Sequence, residues 1–426
     1  MTLDEFLIGQ RWFGSKAREV AHCDVLEDVQ LTEGLRATFV ETVFSPGTHE
    51  TYQLLRAGDD AEDVLVERAN VLLELIRANA DIERDETVVR FRSLEEIGDA
   101  GDARPVGAEQ SNSSVVFGDE LILKVFRRVE PGINPDLEIS RFLTEKGFDR
   151  IPGLAGYYEI ESRNLDATLG MLQHFVAGGR DGWELALSEL ESDPDGFVDR
   201  AGRLGEVIGE MHAVLGSDAS DPAFSPEEPS TESLGLLTAT IDEEIERIFL
   251  DLAERDEAAE LAGRGEEVRD HLRMLTQIVS GGRVIRHHGD LHLGQTLYAD
   301  DDWLVLDFEG EPARSLAERR RKRSPLRDVA GMLRSFAYAA SAVELQRGIE
   351  PPDGWEDRTR EAFLDGYSRT VDPSLLPPGQ QATEQLLSIF ELEKAVYELR
   401  YELNNRPDWV RIPVAGILRL LEAPVA

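Results

Sequence analysis

Residues 286–310 read RHHGDLHLGQTLYADDDWLVLDFEG. Within them Asp290, His292, Gln295, Asp307 and Glu309 crowd around two short apolar runs. A purely structural segment rarely gathers so many acceptors beside a buried strand, because each desolvated carboxylate must be offset by hydrogen bonds or a cation. A bound metal ion would be such a cation.

The chain around this segment has 426 residues and a mass of 47.5 kDa, too long for one ordinary core, so two or three domains are expected. Its apolar fraction, 41%, is enough to build them. The lone Cys23 excludes a disulfide framework and a multi-cysteine metal site, and points to a reducing compartment. The opening residues MTLDEFLIGQRWF lack a basic stretch followed by an apolar core, and no long apolar run occurs anywhere. A cytoplasmic protein without a membrane partner is the expectation.

Aspartate and glutamate total 84 against 45 lysines and arginines, a formal net charge of −39. Nucleic-acid binding needs a basic face that displaces counterions, so that class of function is set aside. The lysines are Lys16, Lys124, Lys146, Lys322 and Lys394, and every other basic residue is arginine. An acidic surface poor in lysine fits a high-salt habitat, where self-repulsion is screened; a merely acidic surface is the other reading.

Residues 1 to about 90 alternate apolar and charged runs and read as strands followed by a helix. GDARPVGAEQSNSSVVFGDELILKVFRR reads as a hairpin, with SVVF and LILKVF as its strands. NPDLEISRFLTEKGF turns helical, a second strand pair ends in the Gly-rich connector after Val176, and most of the remainder is helical. The longest helical piece is TIDEEIERIFLDLAERDEAAELAGRGEEVRDHLRMLTQIV, whose charges read as a solvated face. Lys124 sits inside the apolar run LILKVF, where a lysine is costly unless an anion meets it. A snorkelling edge-strand lysine is one reading. The other is a lysine that meets nucleotide phosphates, with Glu138 on the next helix holding it in place. A strand lysine, a helix with an acid, then a helical half with the opening segment is the order of a kinase.

His288-Gly289-Asp290, with Gln295 five positions on and Asp307-Phe308 after an apolar strand, resembles the catalytic and metal-binding loops of the aminoglycoside-phosphotransferase-like kinases. Gln295 stands where those kinases carry asparagine, which keeps the amide oxygen on a longer arm. QRWFGSK at 10–16, EQSNSSVVFGD at 109–119, DFEGEPARSLAERRRKRSPLRDVAGMLRSF at 307–336 and YELRYELNNRPDWVRIP at 397–413 are similar to the maltokinases and their glucosamine-kinase relatives. The resemblance implies an α+β, two-lobed protein-kinase-like fold: a cap domain at 1–90, a β-rich nucleotide-binding lobe at 91–176 and a helical lobe at 177–426. It implies phosphoryl transfer from ATP to a sugar hydroxyl with Mg²⁺. Asp290 would take the proton of the attacking hydroxyl, Gln295 and Asp307 would hold the metal, and Glu309 would add an outer contact.

GAEQSNSSVVFG has no GxGxxG pattern, so Ser111, Ser113 and Ser114 with backbone amides would meet the phosphates there; a plain hairpin turn is the alternative. Adenine is expected near Gln173 to Val176. His288 reads as scaffolding for the loop, and His212 as packed against it. Arg327 and Asp328 are expected to brace the loop, and ERRRKRS at 318–324 to attract phosphates or order against carboxylates. His292 is a candidate for the substrate. Tyr397, Glu398, Tyr401, Glu402 and Asn405 recur at three- and four-residue steps and either offer rings and carboxylates to a sugar or pack as tyrosines inward and glutamates outward. Likeness to the maltokinase motif favours maltose; glucosamine or an aminoglycoside is the alternative acceptor, and a catalytically silent kinase-like module the alternative class.

Overall fold

A computed structural model describes residues 2–45, 47–58, 62–106, 112–252, 255–275, 281–312 and 314–422. The chain divides into two compact units, Met1–Gly178 and Gly179–Ala426.

The first unit begins with α1 (Leu3–Gly9), started by a capping box in which the Thr2 hydroxyl accepts from the Glu5 N–H and the Glu5 carboxylate accepts from the Thr2 N–H. β1 (Val20–Thr32), β2 (Leu35–Phe44) and β3 (His49–Arg56) form an antiparallel meander. Its first turn needs left-handed backbone, which Gly34 supplies at φ +83°. The amphipathic α2 (Leu65–Arg77) buries Leu65, Ala69, Leu72, Leu73 and Ile76. The strands β4 (Asp81–Arg84), β5 (Thr87–Ser93), β6 (Ala103–Pro105), β7 (Asn112–Phe117), β8 (Leu121–Phe126) and β9 (Arg128–Val129) follow, then α3 (Pro135–Glu145), β10 (Leu154–Glu161) and β11 (Asp166–His174). One sheet has the order β1-β2-β3-β9 and the other β4-β5-β10-β11-β8-β7-β6.

The domain border expected at residue 90 falls inside β5. Residues on both sides of it share one core, running from Val29 and Phe39 through Leu72 and Ile76 to Phe91, Leu123 and Leu172. The apolar face of the meander has to be covered, and α2 with the second sheet covers it. Polar contacts add to the joint: buried Gln53 donates to the carbonyls of Phe126 and Leu169 and accepts from the Tyr158 hydroxyl, and Arg127 pairs with Asp63 at 2.5 Å.

The second unit begins with β12 (Arg180–Asp181), α4 (Gly182–Ser192), α5 (Pro194–Leu215), α6 (Thr231–Leu252) and α7 (Gly265–Leu275). The hairpin β13 (Thr296–Ala299) and β14 (Asp302–Val305) joins β12 in a three-stranded sheet. The helices α8 (Leu316–Arg319), α9 (Leu326–Arg347), α10 (Trp355–Thr370), α11 (Gln380–Asn405) and α12 (Arg411–Glu422) complete it. The long helical piece expected after residue 240 is divided between α6 and α7, and Gly263 in the left-handed region at φ +79° stops a helix from passing through. α5 and α10 cross with backbones in close approach, since a Cβ on Gly205 would lie 2.0 Å from the Phe363 carbonyl oxygen. Among the described residues no helix is long and apolar enough to cross a membrane.

Candidate active site

The loop that carries Asp290 is held from below by one carboxylate. Asp328, in the first turn of α9, accepts the N–H of His288 at 2.8 Å and the N–H of Gly289 at 2.9 Å. It also accepts from His212 Nε2 at 3.1 Å, which leaves His212 Nδ1 to accept from the Tyr367 hydroxyl at 3.0 Å. Burial alone would raise the Asp328 pKa, but His287 and His212 beside it hold it well below the ordinary carboxylate range. The His288 ring donates from Nε2 to the Leu306 carbonyl at 2.8 Å and accepts the Asp290 N–H on Nδ1 at 3.3 Å, so its neighbours choose its tautomer. Gly289 has φ +88°, and a Cβ there would come within 3.3 Å of Gly310 Cα. The bracing expected of Asp328, His212 and His288 is therefore the arrangement found.

Asp290 faces a cavity of about 290 Å³ whose wall includes Glu311, Arg323, Lys394 and Tyr397. Its carboxylate lies 3.5 Å from Lys394 Nζ, which is also 3.8 Å from Glu311. Burial works against the Lys394 charge, but Asp290, Glu311 and Glu398 outweigh it and raise its pKa. The sequence reading passed over Lys394, although its rarity in an arginine-based chain was a signal.

Asp307 follows β14 with its backbone in the left-handed region, φ +60°, a conformation that a non-glycine residue keeps only where its surroundings impose it. The β13–β14 register, Thr296 opposite Val305, brings Gln295 beside Asp307, and Gln295 Nε2 donates to Asp307 Oδ2 at 3.2 Å. Glu309 offers its carbonyl to Arg319 Nη1 at 3.1 Å. Asp307 and Gln295 supply only oxygen ligands once the amide is turned about its last bond, and such a donor set suits Mg²⁺ rather than zinc. His292 Nδ1 accepts the Gly294 N–H at 3.1 Å and caps the turn, so of its two ring nitrogens that one is not offered to a substrate. Burial lowers its pKa.

In the first unit, alternation along β8 buries Leu121, Leu123 and Val125 and turns Lys124 to the other face. Lys124 Nζ donates to Asp136 Oδ2 at 2.9 Å. One acid bonded to the lysine is thus Asp136, two positions before Glu138 on the same helix, and its place in the first turn, after the Asn134 cap, brings it to the lysine. Asn-Pro-Asp ahead of the helix was the available signal for this residue. Ser114 pairs with Lys124 across β7 and β8 and so shares its face. Ser113 points to the opposite face, where its hydroxyl accepts from Arg127 Nε at 2.7 Å, so the two serines do not line one cradle. Ser111 lies outside the described residues. Gln173 on β11 donates to the Pro152 carbonyl at 3.4 Å, and Val176 follows the end of that strand, half-buried.

The expected sugar face on α11 is split. Glu398 accepts from buried Arg334 at 2.7 and 2.9 Å, and Glu402 accepts from the Tyr338 hydroxyl at 3.0 Å and from Arg406. Tyr397 and Tyr401 are instead the exposed members, at 41% and 46%. Successive helix residues point about 100° apart, so each Tyr-Glu step sends one side chain out and one in. The inward-tyrosine packing is therefore reversed, with glutamates inward in ion pairs and tyrosines outward, and of the sugar-face reading the carboxylates are engaged while the rings are exposed. Of the four, Tyr397 lines the cavity.

In the second unit, then, a carboxylate stands on a braced loop and an amide pairs with a carboxylate at the end of a strand; in the first unit, a strand lysine is held by a helix acid. Residues 102–311 match the model of the phosphotransferase enzyme family, and the chain is a kinase-fold phosphotransferase with a hydroxyl acceptor. Its curated relatives include the glucosamine kinase of Streptacidiphilus jiangxiensis, 26% identical over 75% of this chain and 73% of the relative. The glucosamine kinase of Mycolicibacterium smegmatis is 26% identical over 75% of this chain and 79% of its own length. A solved structure of a glucosamine kinase with glucosamine, ADP and inorganic phosphate shares the fold at TM-score 0.73, with 20% identity and 99% of both chains covered.

Proposed function

We propose that the protein transfers the γ-phosphoryl group of ATP to a sugar hydroxyl, with maltose as the preferred acceptor, in the cytoplasm of a cell adapted to high salt. The observation that carries the reading is Asp290, held on a loop fixed by two backbone bonds to Asp328 and facing the cavity. Asp290 accepts the proton as the sugar oxygen bonds to the γ-phosphorus and the bond to the departing ADP breaks. Lys394 orients the Asp290 carboxylate. Lys124 meets the nucleotide phosphates, with Ser114 on the same strand face. Gln295 and Asp307 hold Mg²⁺, which neutralises charge on the transferring group. Gln173 to Val176 receive the adenine.

Maltose is favoured by the charges around the cavity. Each carboxylate in its wall already has a partner: Glu244 with Arg400, Asp290 with Lys394, Glu311 with Arg314, Glu318 with Ser315, Asp328 with His212 and Glu393 with Arg327. An uncharged sugar needs no free carboxylate, whereas the ammonium group of an amino sugar does. Exposed Tyr397 offers a ring to stack on a sugar. Glucosamine is the second reading, supported by the names of the two glucosamine kinases described above. Purified protein given ATP, Mg²⁺ and maltose, glucose or glucosamine separates them. The expected result is a higher kcat/KM for maltose with phosphate on the anomeric oxygen by NMR; a higher value for glucosamine overturns the maltose assignment.

A further inference from the structure

Most of the arginines that line the cavity have a carboxylate close by. Arg314 bonds Glu311, Arg327 lies 2.9 Å from Glu393, and Arg400 pairs with Glu244. Arg323 differs. Among the described residues its guanidinium makes no hydrogen bond and no ion pair, although the chain carries a net charge of −39. Its position is nonetheless fixed, because its backbone bonds Ile285 in both directions at 3.0 and 2.9 Å. Its electrostatic surroundings are mainly cationic: burial, then Arg327 and Arg314, push its pKa down to about 10, and Glu393 and Glu311 offset only part of that. A half-buried cation held among cations is costly until an anion joins it.

We propose that Arg323, flanked by Arg314 and Arg327, binds a phosphate-class oxyanion, either inorganic phosphate or the phosphate of a sugar phosphate, inside the cavity that Asp290 faces. The planar fork of a guanidinium matches two phosphate oxygens at once, and neighbouring cations favour a dianion over a monocarboxylate. The cavity, about 290 Å³, has room for more than a bare ion. Competition with the sugar follows on the reading of this cavity as the acceptor pocket: the enzyme is slowed by its phosphorylated product and by phosphate. The basic run at 318–324 thereby acquires a role, since Arg319 and Lys322 are taken up by Glu309 and Glu227 while Arg323 faces the ligand.

Calorimetric titration of nucleotide-free, metal-free protein at fixed ionic strength, with sodium phosphate in one arm and glucose 1-phosphate in the other, tests the proposal. At least one of the two is expected to bind the wild type, and Arg323→Gln to weaken that binding tenfold or more. Arg323→Lys, which keeps the charge and loses the fork, should fall between them. The arm that binds identifies the source of the phosphate. Equal affinity in wild type and Arg323→Gln, or no binding in either arm, overturns the site. Because the titration requires no turnover, a protein that phosphorylates no sugar yet binds phosphate through Arg323 contradicts the function and leaves this site standing. A working kinase that fails the titration does the reverse.

Discussion

Two backbone N–H groups, those of His288 and Gly289, end on the carboxylate of Asp328, and Asp290 is the next residue along. The loop is therefore positioned by a charge that burial would otherwise discharge. Asp290→Asn removes the proposed proton acceptor and leaves this scaffold intact, so kcat is expected to fall by a factor on the order of 10² to 10⁴ with an unchanged melting temperature. Steady-state kinetics beside thermal melts check it. His287, next to the loop, has its pKa lowered to about 4 by burial, against the pull of Asp328. Since the folded value lies below the ordinary 6.5, the unfolded chain takes up the proton first, and stability present above pH 6.5 is lost as pH falls towards 4. For this one group the loss is at most about 3 kcal/mol. Denaturant melts at pH 7 and pH 4 should show a smaller difference for His287→Gln than for the wild type; parallel losses would contradict the account. At Lys124 the buried partner Asp136, 1% exposed, changes the expectation from nucleotide binding alone. Lys124→Met takes the cation away from that buried carboxylate and is expected to cost about 3–5 kcal/mol in denaturant titrations, with Lys124→Arg retaining most of it.

On α11, adjacent residues have separate duties. Glu398→Gln is expected to destabilise the fold, because buried Arg334 loses its charged partner, while leaving acceptor KM little changed in the folded fraction. Tyr397→Ala should do the opposite, raising acceptor KM several-fold with a near-normal melting temperature, and Tyr401→Ala should do neither. Paired measurement of KM and melting temperature separates the three. The helical spacing and its recurring Tyr-Glu step were legible in the sequence. Its orientation was not, since spacing alone does not say which stripe meets Arg334 and Tyr338, partners some sixty residues earlier in the chain. The same holds for α3: a helix acid for Lys124 was expected, but the bond to Asp136 depends on how the helix start meets β8, a tertiary fact.

For the whole molecule, the β-rich to helical order, the hairpins and the candidate catalytic loop could be read from local patterns such as HGD and LILKVF. The fusion of residues 1–90 with the following sheet could not, because it rests on Gln53, Arg127 and a shared core that join distant stretches. A net charge of −39 should make stability rise with added KCl as repulsion is screened, which melts between low and molar salt would show. The central claim is phosphoryl transfer by Asp290 to a sugar. The most direct measurement is the rate of sugar phosphate formation from ATP, Mg²⁺ and maltose or glucosamine by the wild type and by Asp290→Asn. The account predicts a sugar phosphate formed in step with ADP by the wild type and a loss of at least about a hundredfold in the variant. Equal rates in the two proteins, or ADP release without any phosphorylated sugar, would contradict it.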